Sequence, residues 1–295
     1  MTQAFKKIGL IGKYANTEIG ENLVELAQYL KSKEATVYLD QGTADSLGTD
    51  FVQAEALNRD QMGEQCELII VLGGDGTLLN AARSLTKYDI KLIGINLGHL
   101  GFLTDIPWDN YQQKLDEIFN GEYHIEDRML LQACIIRDGV TISESIAFND
   151  VIVHKWEEAR MLEFETTIDN KFVNVQRSDG LIIATPTGST AYALSSGGPV
   201  LNPGLNAILM VPICPHTLTQ RPLVIQSDSE IEITISEEGH ARAQVTCDGQ
   251  INLGVTAGDR IHVKKFDGKV SLLHPHDYNY YEILRAKLHW GARLY

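Results

Sequence analysis

The strongest constraint on this chain is a strand-like run that ends in glycines. Residues 68–72 read Leu-Ile-Ile-Val-Leu, with no polar side chain to turn toward water. A strand apolar on both faces must be covered on both, as a central strand of a parallel sheet is. Gly73-Gly74-Asp75-Gly76-Thr77 follows at once, and residues 78–85 then carry apolar positions at helical spacing. The same alternation fills the first hundred residues. Residues 7–12 are a short apolar run ending in glycine, 21–30 are apolar at 23, 24, 26, 27 and 30, and 36–39 and 92–95 are further strand-like runs. Alternating strands and helices predict a Rossmann-like α/β domain, with ligands at the C-terminal ends of its strands.

The texture changes after Thr104. Residues 108–119 predict one amphipathic helix stopped by Gly121. From Tyr123 onward short strand-like runs dominate. Asp138-Gly139, Asp169-Asn170 and Asp267-Gly268 each sit between two such runs, where a hairpin turn belongs. Residues 278–290 are aromatic-rich and return to helical spacing. The expected division is an α/β domain over 1–105, rejoined by 277–295, and a β-rich, sandwich-like domain over 106–276, with the last helix packing back on the first domain.

Composition narrows the function classes. Lys plus Arg number 25 against 39 Asp plus Glu, a net charge of −14, which argues against a general nucleic-acid binder or a binder of anionic membranes. The four cysteines, Cys66, Cys134, Cys214 and Cys247, form no Cys-x-x-Cys pair. Reduced, mostly buried thiols are expected, as in a cytoplasmic protein. The first residues lack a signal-type apolar core, and no 18-residue apolar run exists to span a bilayer.

Five segments carry chemistry. In the first, Gly73, Gly74 and Gly76 let the backbone approach a ligand, and the N–H groups of the following helix start favour phosphate. Asp75 would repel that anion. Its carboxylate there fits a metal contact or a proton acceptor for an attacking hydroxyl, or else simply caps the helix. Neither a Gly-x-x-x-x-Gly-Lys-[Ser/Thr] loop nor a Gly-x-Gly-x-x-Gly fingerprint is present, Leu79 standing at the third glycine position. The second segment, residues 96–104, contains Gly98, His99 and Gly101 and follows the fourth strand. In the third, Asn149 and Asp150 interrupt an apolar run, either as a turn or as a polar fork for vicinal hydroxyls. The fourth and densest runs from Gln176 to Pro199 and includes Arg177, Asp179, Thr187, Ser189, Thr190 and Tyr192. Its hydroxyls could cap a helix or face a nucleotide, its tyrosine could stack on a base, and no Gly-x-Ser-x-Gly nucleophile motif is satisfied. The fifth, Cys214-Pro215-His216 through Arg221-Pro222, has weak metal spacing, as has His274-Pro275-His276. Cys247-Asp248-Gly249-Gln250 is a strand-end turn or a further polar contributor.

Taken together these segments resemble the NAD kinase family over essentially the whole chain, and most closely its bacterial, NAD-selective members. The glycine-rich segment alone is shared with diacylglycerol-type lipid kinases. The resemblance implies transfer of the ATP γ-phosphoryl group to the 2′-hydroxyl of the adenosine ribose of NAD, giving NADP, with Asp75 as proton acceptor. It implies NAD contacts at Asp75, Gly76, Asn149, Asp150, Arg160, Arg177, Asp179, Thr187, Thr190, Ala191, Tyr192, Ala193, Leu194, Ser195 and Gln250. It implies ATP phosphate contacts at Gly73, Gly74, Gly76 and Thr77. Arg177 is similar to the residue of members that prefer NAD over NADH. A divalent cation such as Mg²⁺, a homodimer or homotetramer, and a cytoplasmic setting are the remaining expectations. A non-catalytic NAD(P) sensor and a lipid kinase are the rival readings. A sensor needs no carboxylate beside the target hydroxyl, and a lipid kinase fits poorly with the charge of −14.

Overall fold

The chain folds as two units, Met1–Asp127 with Val270–Tyr295, and Arg128–Lys269. The computed structural model describes residues 5–12, 19–47, 53–98, 100–156, 161–236 and 243–291. The first unit holds, in order, β1 (Lys7–Gly12), α1 (Ile19–Ser32), β2 (Thr36–Asp40), α2 (Gln41–Leu47), β3 (Glu55–Leu57), α3 (Arg59–Gln65), β4 (Leu68–Leu72), α4 (Asp75–Leu85), β5 (Lys91–Asn96), β6 (Ile106–Pro107), a 3₁₀ turn at Trp108–Asn110 and α5 (Tyr111–Phe119). Its strands pair in parallel in the order β3-β2-β1-β4-β5. Every residue of β4 is fully buried, as its two-faced apolar run requires. Because the strands are parallel, the loops after β4 and β5 leave the sheet at the same edge. The short elements α2, β3 and α3 carry too few residues to show a period and were not anticipated.

The first unit extends further than the expected boundaries at 105 and 277. Tyr111, Leu115 and Ile118 of α5 pack in one core with Leu23, Leu26 and Leu30 of α1. Tyr29 Oη donates to Asp116 at 2.7 Å, and Tyr111 Oη to Glu25 at 3.0 Å. At the other boundary, Ser271 and Leu272 pair in parallel with Lys91 and Leu92 of β5.

The second unit follows through β7 (Tyr123–Arg137), β8 (Val140–Ala147), β9 (Asp150–Lys155), β10 (Leu162–Ile168), β11 (Lys171–Ser178), β12 (Gly180–Ala184), a 3₁₀ turn at Thr187–Thr190, α6 (Tyr192–Ser195), β13 (Ala207–Ile213), β14 (Leu223–Gln226), β15 (Ile231–Ile235), β16 (Ala243–Cys247), β17 (Ile251–Gly254) and β18 (Arg260–Pro275). One sheet runs β14-β13-β12-β9-β16-β17, antiparallel throughout. Facing it, β11-β10-β15-β18 pair antiparallel, and β7 pairs with β18 and β8. Alternate residues of both sheets, among them Ile135, Val153, Phe164, Ile183, Ile233 and Val245, close one apolar core between them. The unit is a β-sandwich.

Asp138-Gly139 and Asp169-Asn170 turn as expected, with φ of 50° and 79° and of 50° and 59°. Two positive φ values in succession give the turn whose twist matches a hairpin. Asp267-Gly268 does not turn. It lies inside the single sixteen-residue strand β18, where neither residue has a positive φ, because partner strands on both stretches hold it extended. The run 140–153 breaks at Phe148-Asn149 into β8 and β9. After β18 the chain ends in α7 (Tyr280–Leu288), which buries Ile283 and Leu284 and sets Lys287 Nζ 5.9 Å above the Phe102 ring. The last helix therefore packs back on the first unit. Among the described residues, no helix is long and apolar enough to cross a membrane.

Candidate functional site

In the first unit the glycine-rich turn leads directly from β4 into α4. Gly74, not Asp75, is the N-cap, and Asp75 is the first helical residue. Its carboxylate turns away from its own helix. Oδ2 accepts from Phe102 N at 2.8 Å. Oδ1 accepts from Leu103 N at 3.0 Å, Thr104 N at 3.1 Å and Thr104 Oγ1 at 3.1 Å. Asp75 thus ties the second glycine-containing segment to the first. Oδ1 is saturated, while Oδ2 keeps room for another donor. Gly101 is needed for this approach, because a Cβ there would lie 2.0 Å from Asp75 Oδ1. Asn96 at the end of β5 braces the same loop by donating to Thr104 O at 2.9 Å. Gly74 and Gly76 are exposed and Thr77 is half-buried. At the start of α4 the N–H groups of Thr77 and Leu78 both donate to Gly74 O, at 3.0 and 3.3 Å. His99 lies outside the described residues.

In the second unit Asn149 and Asp150 sit at the entry to β9, held by a residue nearly a hundred positions away. Asp248 accepts from Phe148 N at 3.0 Å, Asn149 N at 2.7 Å and Asp150 N at 3.1 Å. It stands in the β16–β17 turn, where Asp248 and Gly249 have φ of 53° and 62°. Thr185 completes the frame: its Oγ1 donates to Phe148 O at 2.7 Å and its N–H to Asn149 O at 2.8 Å. Gly188 packs so closely on Asn149 that a Cβ would lie 2.0 Å from the Asn149 carbonyl. Asp150 is 3% exposed. Burial, and secondly the nearby Asp248 charge, push its carboxyl up to about 7.

The hydroxyl-rich turn lies beyond β12. Thr187 is buried and its Oγ1 accepts from the buried Arg128 at 3.3 Å. Thr190 Oγ1 donates back to Thr187 O at 3.2 Å. Ala191 leads into the single turn Tyr192–Ser195, in which Tyr192 and Ser195 are exposed, Leu194 is half-buried and Ala193 fills a small core with Ile182 and Leu209. Tyr192 and Asp179 line one open cavity of about 300 Å³ with Ile152, His154, Lys155 and Thr246. Asp179 also pairs with Lys155 Nζ at 2.7 Å. Arg177 stands on β11 with its side chain 65% exposed and Nε 3.4 Å from Glu163 Oε2. Gln250 is exposed at the end of the Asp248 turn, and its N–H closes that turn onto Cys247 O. Arg160 lies outside the described residues. All four cysteines are free, and Cys214 is exposed rather than buried. Among the described residues, no group of three or more His, Cys, Asp or Glu side chains could hold a metal ion.

Asp248, Thr185 and Thr104 are the residues that sequence reasoning did not single out for what they do. The Asp-Gly turn signal located Asp248, but only the fold reveals its partners.

A parallel α/β unit with a Gly-Gly-Asp-Gly turn at its strand ends, coupled in sequence to a β-sandwich with a hydroxyl-rich turn, defines a glycine-turn nucleotide-kinase architecture lacking a phosphate-loop lysine. Comparison with known proteins narrows the class. Residues 8–123 match the ATP-NAD kinase N-terminal domain and residues 148–274 the ATP-NAD kinase C-terminal domain. The chain is 48% identical to the NAD kinase of Nitrosococcus oceani over 294 residues, covering 100% of both chains. It is 44% identical to that of Hydrogenovibrio crunogenus, over 98% of this chain and 100% of the relative. The chain belongs to the NAD kinase family. Two solved structures share its fold at 24% identity. They are yeast NADH kinase complexed with NADH (TM-score 0.87, covering 98% of this chain and 89% of that one) and an Archaeoglobus fulgidus NAD kinase in complex with ATP (TM-score 0.74, 96% and 98%).

Proposed function

We propose that the chain is an ATP-dependent NAD kinase that phosphorylates the 2′-hydroxyl of the adenosine ribose of NAD. The observation that carries this reading is the setting of Asp75. Its carboxylate is fixed by four donors, and the acceptor room left on Oδ2 suits a substrate hydroxyl. A ribose hydroxyl is a poor nucleophile near neutral pH, and a positioned base adds about 10²–10⁴-fold. Asp75 takes that proton as the γ-phosphoryl group arrives. Gly73, Gly74, Gly76 and Thr77 form the turn at the α4 start that receives the ATP phosphates; the N–H of Gly73 is held by Ile95 O and that of Thr77 by Gly74 O, so these two shape the turn.

Asn149 and Asp150 present a fixed amide–carboxyl fork to ribose hydroxyls. The run Thr187 and Thr190–Ser195, with Arg160, Asp179 and Gln250, contacts the rest of the dinucleotide, Tyr192 offering its exposed ring for stacking. Ala193, whose side chain is core, contributes through its backbone. Arg177 sets the preference for NAD over NADH. A divalent cation such as Mg²⁺, if bound with ATP, would supply neutralisation of the phosphate charge. The protein works in the cytoplasm, without nucleic acid or membrane partners, as a homodimer or homotetramer. Support for assembly is the exposed apolar set Phe172 and Val175 on β11 and Val224 on β14; sedimentation reads the assembly state.

NADP formation from NAD, ATP and Mg²⁺ tests the reading, with Asp75→Asn beside the wild type. The wild type is expected to make NADP, and the variant to lose at least about a hundredfold in kcat while still binding NAD. If neither forms NADP while both bind NAD, the chain is a dinucleotide sensor and the proposal fails.

A further inference from the structure

The geometry points to His274 as a positioning residue for Asp75, acting through Asp105 and the loop between them; this rests on Asp75 being the proton acceptor. His274 ends the His-bearing stretch of β18, and its side chain is 1% exposed. Nδ1 lies 2.8 Å from Asp105 Oδ2, across 169 residues of sequence. The Asp105 side chain is 5% exposed. Neither His274 Nε2 nor Asp105 Oδ1 has a hydrogen-bond partner among the described residues, so each side chain spends its one bond on the other. The ring is clamped flat on Tyr278, with centroids 3.9 Å apart and planes at 18°, and His124 is 5.5 Å away. Glu126 Oε2 approaches Nε2 only to 3.8 Å.

A buried polar pair costs desolvation, which its position repays with placement of the neighbouring backbone. Asp105 follows Thr104, and Thr104 sends both its N–H and its hydroxyl to Asp75 Oδ1. Asn96 holds the carbonyl side of Thr104, and Gly101 N donates to that same carbonyl at 3.1 Å. The donors aimed at Asp75 are therefore fixed on one side by the end of β5 and on the other by His274. A displacement of about 1 Å at a reacting group can cost on the order of 10²-fold in rate. Without the His274 bond, residues 103–105 lose that second anchor and the Asp75 carboxylate loses its aim. Dinucleotide contacts in the second unit stay intact, so turnover suffers and binding does not.

Three variants and one double variant test this. His274→Phe keeps a ring to stack on Tyr278 but removes the donor, His274→Asn restores a donor near the Nδ1 position, and Asp105→Ala breaks the pair from the other side. His274→Phe and Asp105→Ala are expected to lower kcat at least about tenfold with KM for NAD within about twofold. His274→Asn should stay within about threefold of the wild type. Placed in Asp75→Asn, His274→Phe should cost less than about threefold more, because its target is already gone. A purely structural role predicts instead an equal loss in both backgrounds, or a raised KM, and either overturns the inference. Should His274→Phe fail to fold, Asp105→Ala and His274→Asn decide by the same readings. If the wild type and Asp75→Asn behave as proposed while the His274 and Asp105 variants keep full kcat, this inference alone falls. If the wild type forms no NADP, the underlying reading falls with it.

Discussion

Asp75 and Asp248 meet the same need in two unrelated units: each carboxylate gathers three successive backbone N–H groups, from residues 102–104 and from 148–150. A carboxylate is the side chain suited to this, being acceptor-only with about four lone-pair sites. The sequence made Asp75 conspicuous, because a charge beside a phosphate-type glycine turn asks for a reason. The role of Asp248 was hidden, because an Asp before Gly in a turn is what any hairpin uses. Arg177 was visible as a cation in the densest motif, and its side chain, 65% exposed and paired with Glu163, makes it a clean target. Arg177→His is expected to leave stability within about 0.5 kcal/mol and to raise the NADH/NAD ratio of kcat/KM. An unchanged ratio in steady-state assays would remove Arg177 from the selectivity argument.

At the level of elements, periodicity identified the strands and helices that bury a face along their whole length, such as β4 and α1. It missed what pairing decides. Asp267-Gly268 carries a turn signal that extended partners override, and α2, β3 and α3 are too short to show any period. Asn149-Asp150 was legible as a polar break in an apolar run, but its anchor, the β16–β17 hairpin, was not. Replacing that anchor tests the arrangement. Asp248→Asn turns one acceptor oxygen into a donor facing donors, and should destabilise by about 1–3 kcal/mol in urea unfolding. The same variant should raise KM for NAD, since the fork loses its frame. Unaltered unfolding together with unaltered KM would show that the Asp248 contacts do not hold the fork.

For the whole molecule, charge and topology set the terms. The net charge of −14 makes the folded state sensitive to each further carboxylate ionised inside it. Asp150 is the buried case. Its folded value of about 7 stands above its unfolded 3.8, so the native state binds more protons in that window. Its contribution to stability is fully present below the unfolded value and is lost as pH rises through the folded one. Relative to the wild type, Asp150→Asn should therefore gain unfolding free energy between pH 5 and pH 8, on the order of a few kcal/mol. A wild-type-to-variant difference independent of pH would refute the assignment. Topology has a consequence of its own in synthesis. The first unit is discontinuous: its sheet receives Ser271 and Leu272 beside β5, and then α7, only after Arg128–Lys269 has been made. At about 5–20 residues per second, the β5 edge waits roughly ten to thirty seconds for its last strand. During vectorial emergence that open edge is a template for wrong pairing, and the late-arriving tail is its cure. A stop codon anywhere in the sandwich thus leaves the upstream unit unfinished, although every residue of the glycine turn has already been translated.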